Sequence, residues 1–248
     1  MNFLIFLTIL FKNIENITML DERFSSEMSA RLKVDRERLA REFWEILILN
    51  EISKRRWSEN LIFKGGTALR LAYGSPRFSD DLDFSISGKL KTDDVFKFAR
   101  DVSDEFGIEI LDAWEKRETI ICEFRIKEPV LAQSFRLKIE ISKRKVKADY
   151  ELKILKSDVS VLQVLMKTAT LDFILKEKLI ALKERNEPRD IFDVWYICGI
   201  KNLDFKEVIS GVVSEKFDRR RIKQVLRKYL PANWYVAVDE ITKVLGEI

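Results

Sequence analysis

The spacing of apolar residues changes along this chain, and the changes predict where helices and strands lie. In residues 35–56 apolar positions recur at helical spacing, and Asp35 is a suitable N-cap. Residues 67–73 and 92–106 predict two further helices, the second with Thr92 as its N-cap. Short apolar runs and apolar–polar alternation predict strands at residues 61–63, 78–86, 108–111, 119–126 and 135–142.

Strand signals fade after about Lys147, where the pattern becomes helical. The predicted helices there cover residues 159–167, 171–185, 189–197, 205–214, 219–229 and 236–245. The whole pattern predicts an α+β fold in which helices flank a mixed-sheet core and a helical C-terminal part follows. We expect an apolar N-terminal extension at residues 1–18, an α/β core at 19–147 and a helical C-terminal domain at 148–248.

Composition excludes several classes of chemistry. The chain of 248 residues has no histidine, which excludes Ser-His-Asp and Cys-His catalysis and HExxH zinc sites. Cys122 and Cys198 are far apart and form no CxxC motif, which fits a reducing cytoplasm. The net charge of +4 favours a polyanionic partner only weakly. Scarce Gln and Asn with abundant charge is typical of thermophiles.

The apolar N-terminal extension does not predict a membrane anchor. Its apolar run, residues 3–11, is much shorter than a bilayer span. Basic residues do not precede the run and no small-residue cleavage site follows it, so it does not match a signal peptide. We expect a cytoplasmic protein without a membrane partner. The extension predicts a peripheral helix or a partner-binding segment, unless translation starts at Met19.

The strongest chemical signal is residues 61–84, LIFKGGTALRLAYGSPRFSDDLDF. Gly65 and Gly66, the only adjacent glycines in the chain, stand between a predicted strand and a predicted helix. Bare backbone at a helix start leaves N–H groups that can bind a phosphate. Asp81 and Asp83, two apart on a predicted strand, point to one side and can bind one cation. This combination predicts Mg²⁺-dependent phosphoryl or nucleotidyl transfer, with two ions.

Two further positions extend this predicted metal site. Ser79 shares the strand face of Asp81 and Asp83. An exposed polar face is the alternative interpretation, but aspartate is a poor strand former and two on one face repel each other without a cation. Glu140, on the polar face of a later strand, is the candidate third carboxylate, which would help deprotonate an attacking hydroxyl. Its alternative role is a salt bridge with Lys138.

Basic residues later in the chain are candidate phosphate ligands. Lys178 and Arg185 lie on one side of a predicted helix, and Arg189 with Asp190 opens the next. They could neutralise a leaving pyrophosphate, although solvated surface charges explain the same spacing. The tract at residues 216–228, KFDRRRIKQVLRK, is usually an amphipathic helix with a solvated face. An RNA footprint is the other interpretation, and it would consist of Arg219, Arg220, Arg221 and Lys223.

These motifs together resemble the AbiEii/AbiGii toxin family of nucleotidyltransferases, within the polymerase-beta-like superfamily. The resemblance rests on FKGGTAL, RFSDDLDF, LKIEI and EKLIALKERNEPRDIFDVW in that order, and it covers about residues 35–196. It implies a nucleotidyltransferase-type fold and the toxin of a toxin–antitoxin pair, with a cognate antitoxin as partner. It also implies transfer from an NTP, GTP among the candidates, to RNA, with the 3′ end of tRNA the expected acceptor.

The resemblance also assigns roles to individual residues. Asp81 and Asp83 would be metal ligands, and Lys178 and Asp190 would belong to the active site. Thr67, where the superfamily commonly has Ser, keeps the hydroxyl. The predicted nucleotide-binding set is Gly65, Gly66, Thr67, Ser79, Lys178, Arg185 and Arg189. Two alternatives stay open at this point, namely a small-molecule nucleotidyltransferase and a non-catalytic NTP-binding module.

Overall fold

The computed structural model describes residues 20–144, 147–212 and 218–247, in which the chain forms seven strands and nine α-helices. The strands are β1 Leu61–Lys64, β2 Asp81–Ile86, β3 Glu109–Glu115, β4 Thr119–Ile126, β5 Phe135–Ser142, β6 Tyr150–Lys156 and β7 Gln163–Ala169. The helices are α1 Glu22–Leu32, α2 Arg36–Ser53, α3 Gly65–Tyr73, α4 Thr92–Phe106, α5 Leu171–Arg185, α6 Pro188–Lys201, α7 Phe205–Ser210, α8 Arg219–Arg227 and α9 Tyr235–Val244. Short 3-10 helices lie at Arg56–Asn60 and Ala232–Trp234.

All seven strands form one mixed sheet in the order β3-β4-β5-β2-β1-β7-β6. β2 pairs in parallel with β5, and β1 pairs in parallel with β7. The other neighbours, including β1 and β2, are antiparallel. β2 is therefore a central strand, and its side chains on either face lie between those of β1 and β5. The predicted α+β fold with a mixed sheet is confirmed.

One face of the sheet forms the main apolar core. β4 shows the reason, since Ile120, Cys122, Phe124 and Ile126 alternate with partly exposed residues and are all buried. α2 packs against β5 and β7 on this face, and α4 packs against β3 and β4. The helical stripes recognised in the sequence thus cover the apolar side of the sheet.

The C-terminal helices build a second core that begins on the other face. Successive residues of a strand point to opposite faces. Phe63 of β1 accordingly belongs to the main core, whereas Ile62 packs with Phe192 and Leu226 of the helical part. Ala169, at the end of β7, joins the same cluster. The helical part therefore covers one end of the sheet face that carries Ile62 and Lys64.

The largest disagreement between the secondary structure and the sequence patterns lies in the segment after residue 147. The helix predicted at residues 159–167 is wrong, because β7 occupies most of that segment. Val164 and Met166 are buried while Leu165 is 62% exposed, and β7 pairs with both β1 and β6. Two strands of the sheet thus follow the boundary that we predicted at residue 147. An apolar residue left exposed at position 165 hides the two-residue period in the sequence.

Further differences concern the ends of elements and one helix that was not predicted. Asp35 caps α2 as predicted, but α4 follows Lys91 as its N-cap instead of beginning after Thr92. β2 begins at Asp81 instead of residue 78, because the Phe78 N–H donates to the Tyr229 carbonyl at 2.8 Å. Ser79 therefore precedes the strand. The sequence patterns also did not indicate α1, which Asp21 caps.

Two predicted segments fall outside the described residues. These are the apolar extension at residues 1–18 and the end of the predicted helix at 205–214. In the part of the chain that the structure describes, no helix combines the length and the apolar character needed to cross a bilayer.

Candidate active site

Three carboxylates lie on one face of two neighbouring strands. Asp81 and Asp83 are two apart on β2, and in the parallel register Asp83 is opposite Glu140 of β5. Asp81 is opposite Lys138, two residues before Glu140. Side chains two apart on a strand point to the same face. The sheet register therefore brings the predicted ligands Asp81, Asp83 and Glu140 together.

The carboxylates repel one another across this face. Burial, with the charges of Asp81 and Glu140, raises the pKa of Asp83 to about 6. Burial and the charge of Asp80 also raise the pKa of Asp81, although Lys138 acts in the opposite direction. Both pKa values are raised because nearby positive charge does not fully offset burial and repulsion when Asp81 and Asp83 are ionised. A bound cation would relieve that shortage.

Lys138 supplies positive charge to two of these acids, Asp81 and Glu140. Its Nζ lies 3.1 Å from Glu140 Oε2 and 3.4 Å from Asp81 Oδ2. Burial alone would lower the pKa of Lys138, but the adjacent carboxylates raise it, so the ammonium is charged. Within the described ranges, no group of three or more acidic or thiol side chains is arranged to hold a metal ion as it stands. Carboxylate oxygens are the donors that Mg²⁺ prefers. In this structure the ammonium group of Lys138 lies between the carboxylates of Asp81 and Glu140, where a cation would bind.

The glycine pair allows α3 to start against the carboxylates. Gly65 has φ +78°, in the left-handed region, and a Cβ there would collide with Asp83 Oδ2. A Cβ on Gly66 would collide with Arg77 and would lie 2.7 Å from Ser79 Oγ. Both glycines thus permit close packing of the protein on itself. Among the described residues, no side chain caps the N-terminus of α3, so its first N–H groups are not held by such a cap.

Thr67 and Ser79 are placed beneath the glycine pair. Thr67 is fully buried, and its Oγ1 donates to the Asp81 carbonyl at 2.6 Å. This bond joins the first turn of α3 to the start of β2. Ser79 is 9% exposed and packs against Gly66. The Thr67 hydroxyl therefore holds the backbone of a candidate metal ligand, a role that its position in the sequence did not indicate.

Lys178 belongs to a buried ion network. Its Nζ contacts Asp190 Oδ1 at 2.7 Å and Asp193 Oδ2 at 2.8 Å. Asp193 also accepts two bonds from Arg77, at 2.7 and 2.8 Å. Arg185 reaches Asp190 at 2.8 Å, and its side chain is 57% exposed. The network joins α5 and α6 to the segment that leads into β2.

Every charged group of this network has at least one oppositely charged partner. Burial would raise the pKa of Asp193, but Arg77 and Lys178 hold it below its ordinary value. Burial would lower the pKa of Lys178, but Asp193 and Asp190 raise it. Both partners are therefore ionised. Lys178 is also close enough to Asp83 to lower the pKa of that carboxyl, so the network borders the acidic face.

Lys64 and Asp193 contribute to the site although the sequence analysis did not select them. Lys64 is opposite Asp83 in the β1–β2 register, and its Nζ bonds Glu177 Oε1 at 2.6 Å. Asp193 follows Asp190 by three residues on α6, which puts both on one side of the helix. That spacing was visible in the sequence. The pairing of Lys64 with Glu177 was not visible in the sequence, because the two residues are far apart along the chain.

Asp80, the residue before Asp81, contacts a second group of polar and charged side chains. Arg189 Nη1 lies 3.1 Å from Asp80 Oδ2, and the Tyr229 hydroxyl donates to the same oxygen at 2.7 Å. Arg38 and Arg41 of α2 are also ion-paired with Asp80. This cluster joins α2 and α6 to Tyr229, which follows α8, and it places Arg189 close enough to Asp81 to lower the pKa of that carboxyl.

The basic residues of α8 differ in their partners. Arg221 bonds Glu187 at 2.7 Å, and Lys223 bonds Asp239 at 2.7 Å. Arg219 and Arg220 are exposed and have no ion-pair partner among the residues that are described. Of the four predicted RNA-contacting residues, Arg221 and Lys223 are thus already paired, whereas Arg219 and Arg220 are unpaired as far as the described residues go.

Comparisons with known proteins show the fold and the family of this chain. A family model, "Nucleotidyl transferase AbiEii toxin, Type IV TA system", matches residues 47–233. The crystal structure of JHP933 from Helicobacter pylori superposes with a TM-score of 0.59 at 21% identity, covering 86% of this chain and 90% of that one. The crystal structure of a "putative nucleotidyltransferase from H. pylori" gives a TM-score of 0.55 at 21% identity, covering 85% of this chain and 90% of that one. No curated protein matches. The two structures support the fold, and the family match over most of the length shows that this chain belongs to the AbiEii family of nucleotidyltransferase toxins of type IV toxin–antitoxin systems.

Proposed function

We propose that this chain transfers a nucleotide from an NTP to an RNA acceptor and uses Mg²⁺ held by Asp81, Asp83 and Glu140. The observation that carries the proposal is the β2–β5 register, which sets Asp83 opposite Glu140 beside the start of α3. Membership of the AbiEii family supports nucleotidyl transfer as the reaction class. The intact set of carboxylates argues against a binding module without turnover.

The acidic face fits a divalent cation in charge and in donor type. Two Mg²⁺ ions, when bound, would polarise the nucleotide and stabilise the charge that develops on pyrophosphate. The side chains of Asp81, Asp83 and Glu140 would supply the oxygen ligands. Glu140, which is held by Lys138 at 3.1 Å, is the carboxylate that we assign to the proton of the attacking hydroxyl.

The start of α3 and the nearby lysines support binding of the triphosphate. Uncapped N–H groups and the positive end of the helix dipole attract phosphate. Lys64 and Lys178 both lie close enough to lower the pKa of Asp83, so their charges face the same region. We assign Gly65 and Gly66 to close backbone approach and Thr67 to holding Asp81. Arg185 and Arg189 would act from the rim, where their side chains are 57% and 34% exposed.

For the acceptor we propose RNA, and specifically the 3′ end of tRNA. The support is the family and the exposed charges of Arg219 and Arg220 on α8. We also propose GTP among the donors and a cognate antitoxin as partner, both from the family. The proposed toxin activity would follow because a modified 3′ end cannot be aminoacylated.

The test is transfer of label from each of the four α-labelled NTPs to total RNA in the presence of Mg²⁺. We expect a labelled band of tRNA size with one NTP preferred. Asp83→Asn should reduce transfer at least about a hundredfold, since it removes a metal ligand. Asp172→Asn is the matched control, because its exposed carboxylate pairs only with Lys201 among the described residues. Label found exclusively on small molecules would favour the small-molecule alternative. Label transfer that ignores Asp83→Asn would contradict the proposed site.

A further inference from the structure

The position of Lys138 between two of the proposed metal ligands has a consequence for how the metal enters. Its Nζ is within 3.1 Å of Glu140 and 3.4 Å of Asp81. The lysine lies on the same strand as Glu140 and directly opposite Asp81 in the β2–β5 register. Sheet pairing therefore fixes its backbone beside both acids. The contact is built into the fold and does not depend on a loop.

An ion held by the same two oxygens would stand very close to this ammonium. Mg²⁺–oxygen distances are about 2.1 Å. An ion at that distance from Glu140 Oε2 would be at most roughly 5 Å from Nζ, since Nζ is 3.1 Å from that oxygen. Repulsion between the two cations is strong at such a separation, particularly where burial limits screening. Metal binding and the present Lys138 contacts therefore oppose each other.

The lysine has a second carboxylate to which it can move. Its side chain is 31% exposed, so it is not locked in place. In the β4–β5 register Lys138 is opposite Glu123, on the side away from Asp81. Glu123 is held only by an exposed Arg136 at 3.3 Å among the described residues. A rotation of the lysine side chain toward β4 would keep it paired while leaving Asp81 and Glu140 free.

We propose that Lys138 competes with the metal for Asp81 and Glu140, so that free Mg²⁺ binds weakly and the ion enters together with the nucleotide. This inference rests on the proposed function. The triphosphate offsets the displacement of the lysine because it brings further oxygen ligands and negative charge to the ion. Lys138 is thus a positioning residue that links metal occupancy to nucleotide occupancy.

The experiment is titration of the full chain with Mn²⁺, followed by the electron paramagnetic resonance signal of the free ion. Without nucleotide, Lys138→Met should bind Mn²⁺ about tenfold or more tightly than the wild type, because one competing charge is removed. Lys138→Arg keeps the charge and should stay within about twofold of the wild type. With a non-hydrolysable NTP present, the difference between Lys138→Met and the wild type should fall to about threefold or less.

Two control variants separate this inference from the proposed function. Lys97→Met removes one lysine of a surface pair on α4, with Asp101, and should leave Mn²⁺ affinity unchanged. Asp83→Asn should abolish the tight binding in the Lys138→Met background. Equal affinity in wild type and Lys138→Met, with loss in Asp83→Asn, would overturn the competition and leave the metal site intact. Binding that ignores Asp83→Asn, or no binding in any variant with or without nucleotide, would overturn both.

Discussion

The two charged regions beside the central strand differ in how completely their charges are paired. On the acidic face, Asp81 and Glu140 share the ammonium of Lys138, and the pKa of Asp83 is raised. In the buried network, Asp193 accepts from Arg77 and contacts Lys178, and its pKa is lowered. The acidic face has too little positive charge to pair with all of its carboxylates. In the buried network each carboxylate is paired with a basic side chain. The shortage on the acidic face agrees with the cation that we propose for it, whereas the charges of the buried network are paired by the protein's own side chains.

The largest effect should come from breaking the buried network. The side chains of Arg77 and Asp193 are 2% and 0% exposed. Asp193→Asn would therefore leave the buried guanidinium of Arg77 without its ionised partner. We expect a loss of about 3–5 kcal/mol in the free energy of unfolding, which is typical when one charge of a buried pair is removed. Urea unfolding followed by circular dichroism measures it.

The matched control for this prediction is Asp172→Asn, which breaks the exposed pair with Lys201. Its side chain is 75% exposed, so we expect a change below about 1 kcal/mol. Similar losses in Asp193→Asn and Asp172→Asn would mean that the buried network contributes no more than a surface pair. The contrast between the two charged regions would then fail.

A smaller effect of opposite sign is expected on the acidic face. Asp83 has a folded pKa of about 6 against an ordinary value of 3.8. Because the folded pKa is the higher one, ionised Asp83 costs stability above pH 6, and the cost disappears as the pH falls through this window to below 3.8. Asp83→Asn should therefore stabilise the metal-free protein by about 1–2 kcal/mol at pH 7.5, after allowance for screening.

The measurement for Asp83 is the difference in unfolding free energy between the variant and the wild type at pH 7.5 and pH 4. EDTA keeps divalent ions away from both proteins. The advantage of the variant should be nearly gone at pH 4. An advantage that is equal at the two pH values would show that repulsion among carboxylates is not its cause.

The smallest effect concerns the basic residues of α8. The double change Arg219→Glu and Arg220→Glu should weaken RNA binding and reduce the slope of log Kd against log salt by about 2, one for each phosphate contact. Arg221→Gln and Lys223→Gln should change it less, because these side chains already pair with Glu187 and Asp239. Fluorescence anisotropy with labelled tRNA at several salt concentrations distinguishes the two pairs. An equal slope in all variants would show that α8 does not contact RNA.

The local part of the candidate site was predictable from the sequence, because short-range signals determine it. Adjacent glycines between a strand and a helix locate the start of α3, and alternation places Asp81 and Asp83 on one face. Polar alternation in residues 135–142 also indicated the face of Glu140. Apolar periodicity likewise identified α2 and its cap at Asp35.

The long-range part was not predictable, because it depends on which strands and helices become neighbours. Arg77 and Asp193 are 116 residues apart, and no spacing rule connects them. The strand identity of residues 163–169 depends on pairing with β1 and β6, which overrides a pattern that resembled a helix. Thr67 was expected at the phosphates from the family pattern, and only the packing of α3 on β2 reveals its bond to Asp81.

The separation of Arg77 from Asp193 has a consequence for synthesis of the protein. Translation proceeds at about 5–20 residues per second, so the 116 residues between the two ends of this pair take roughly 6–23 seconds to make. Asp81 and Asp83 are synthesised near the start of this interval. Glu140, Lys178 and Asp193 are synthesised later in it. A nascent chain therefore cannot assemble the nucleotidyltransferase site until most of the protein has been synthesised.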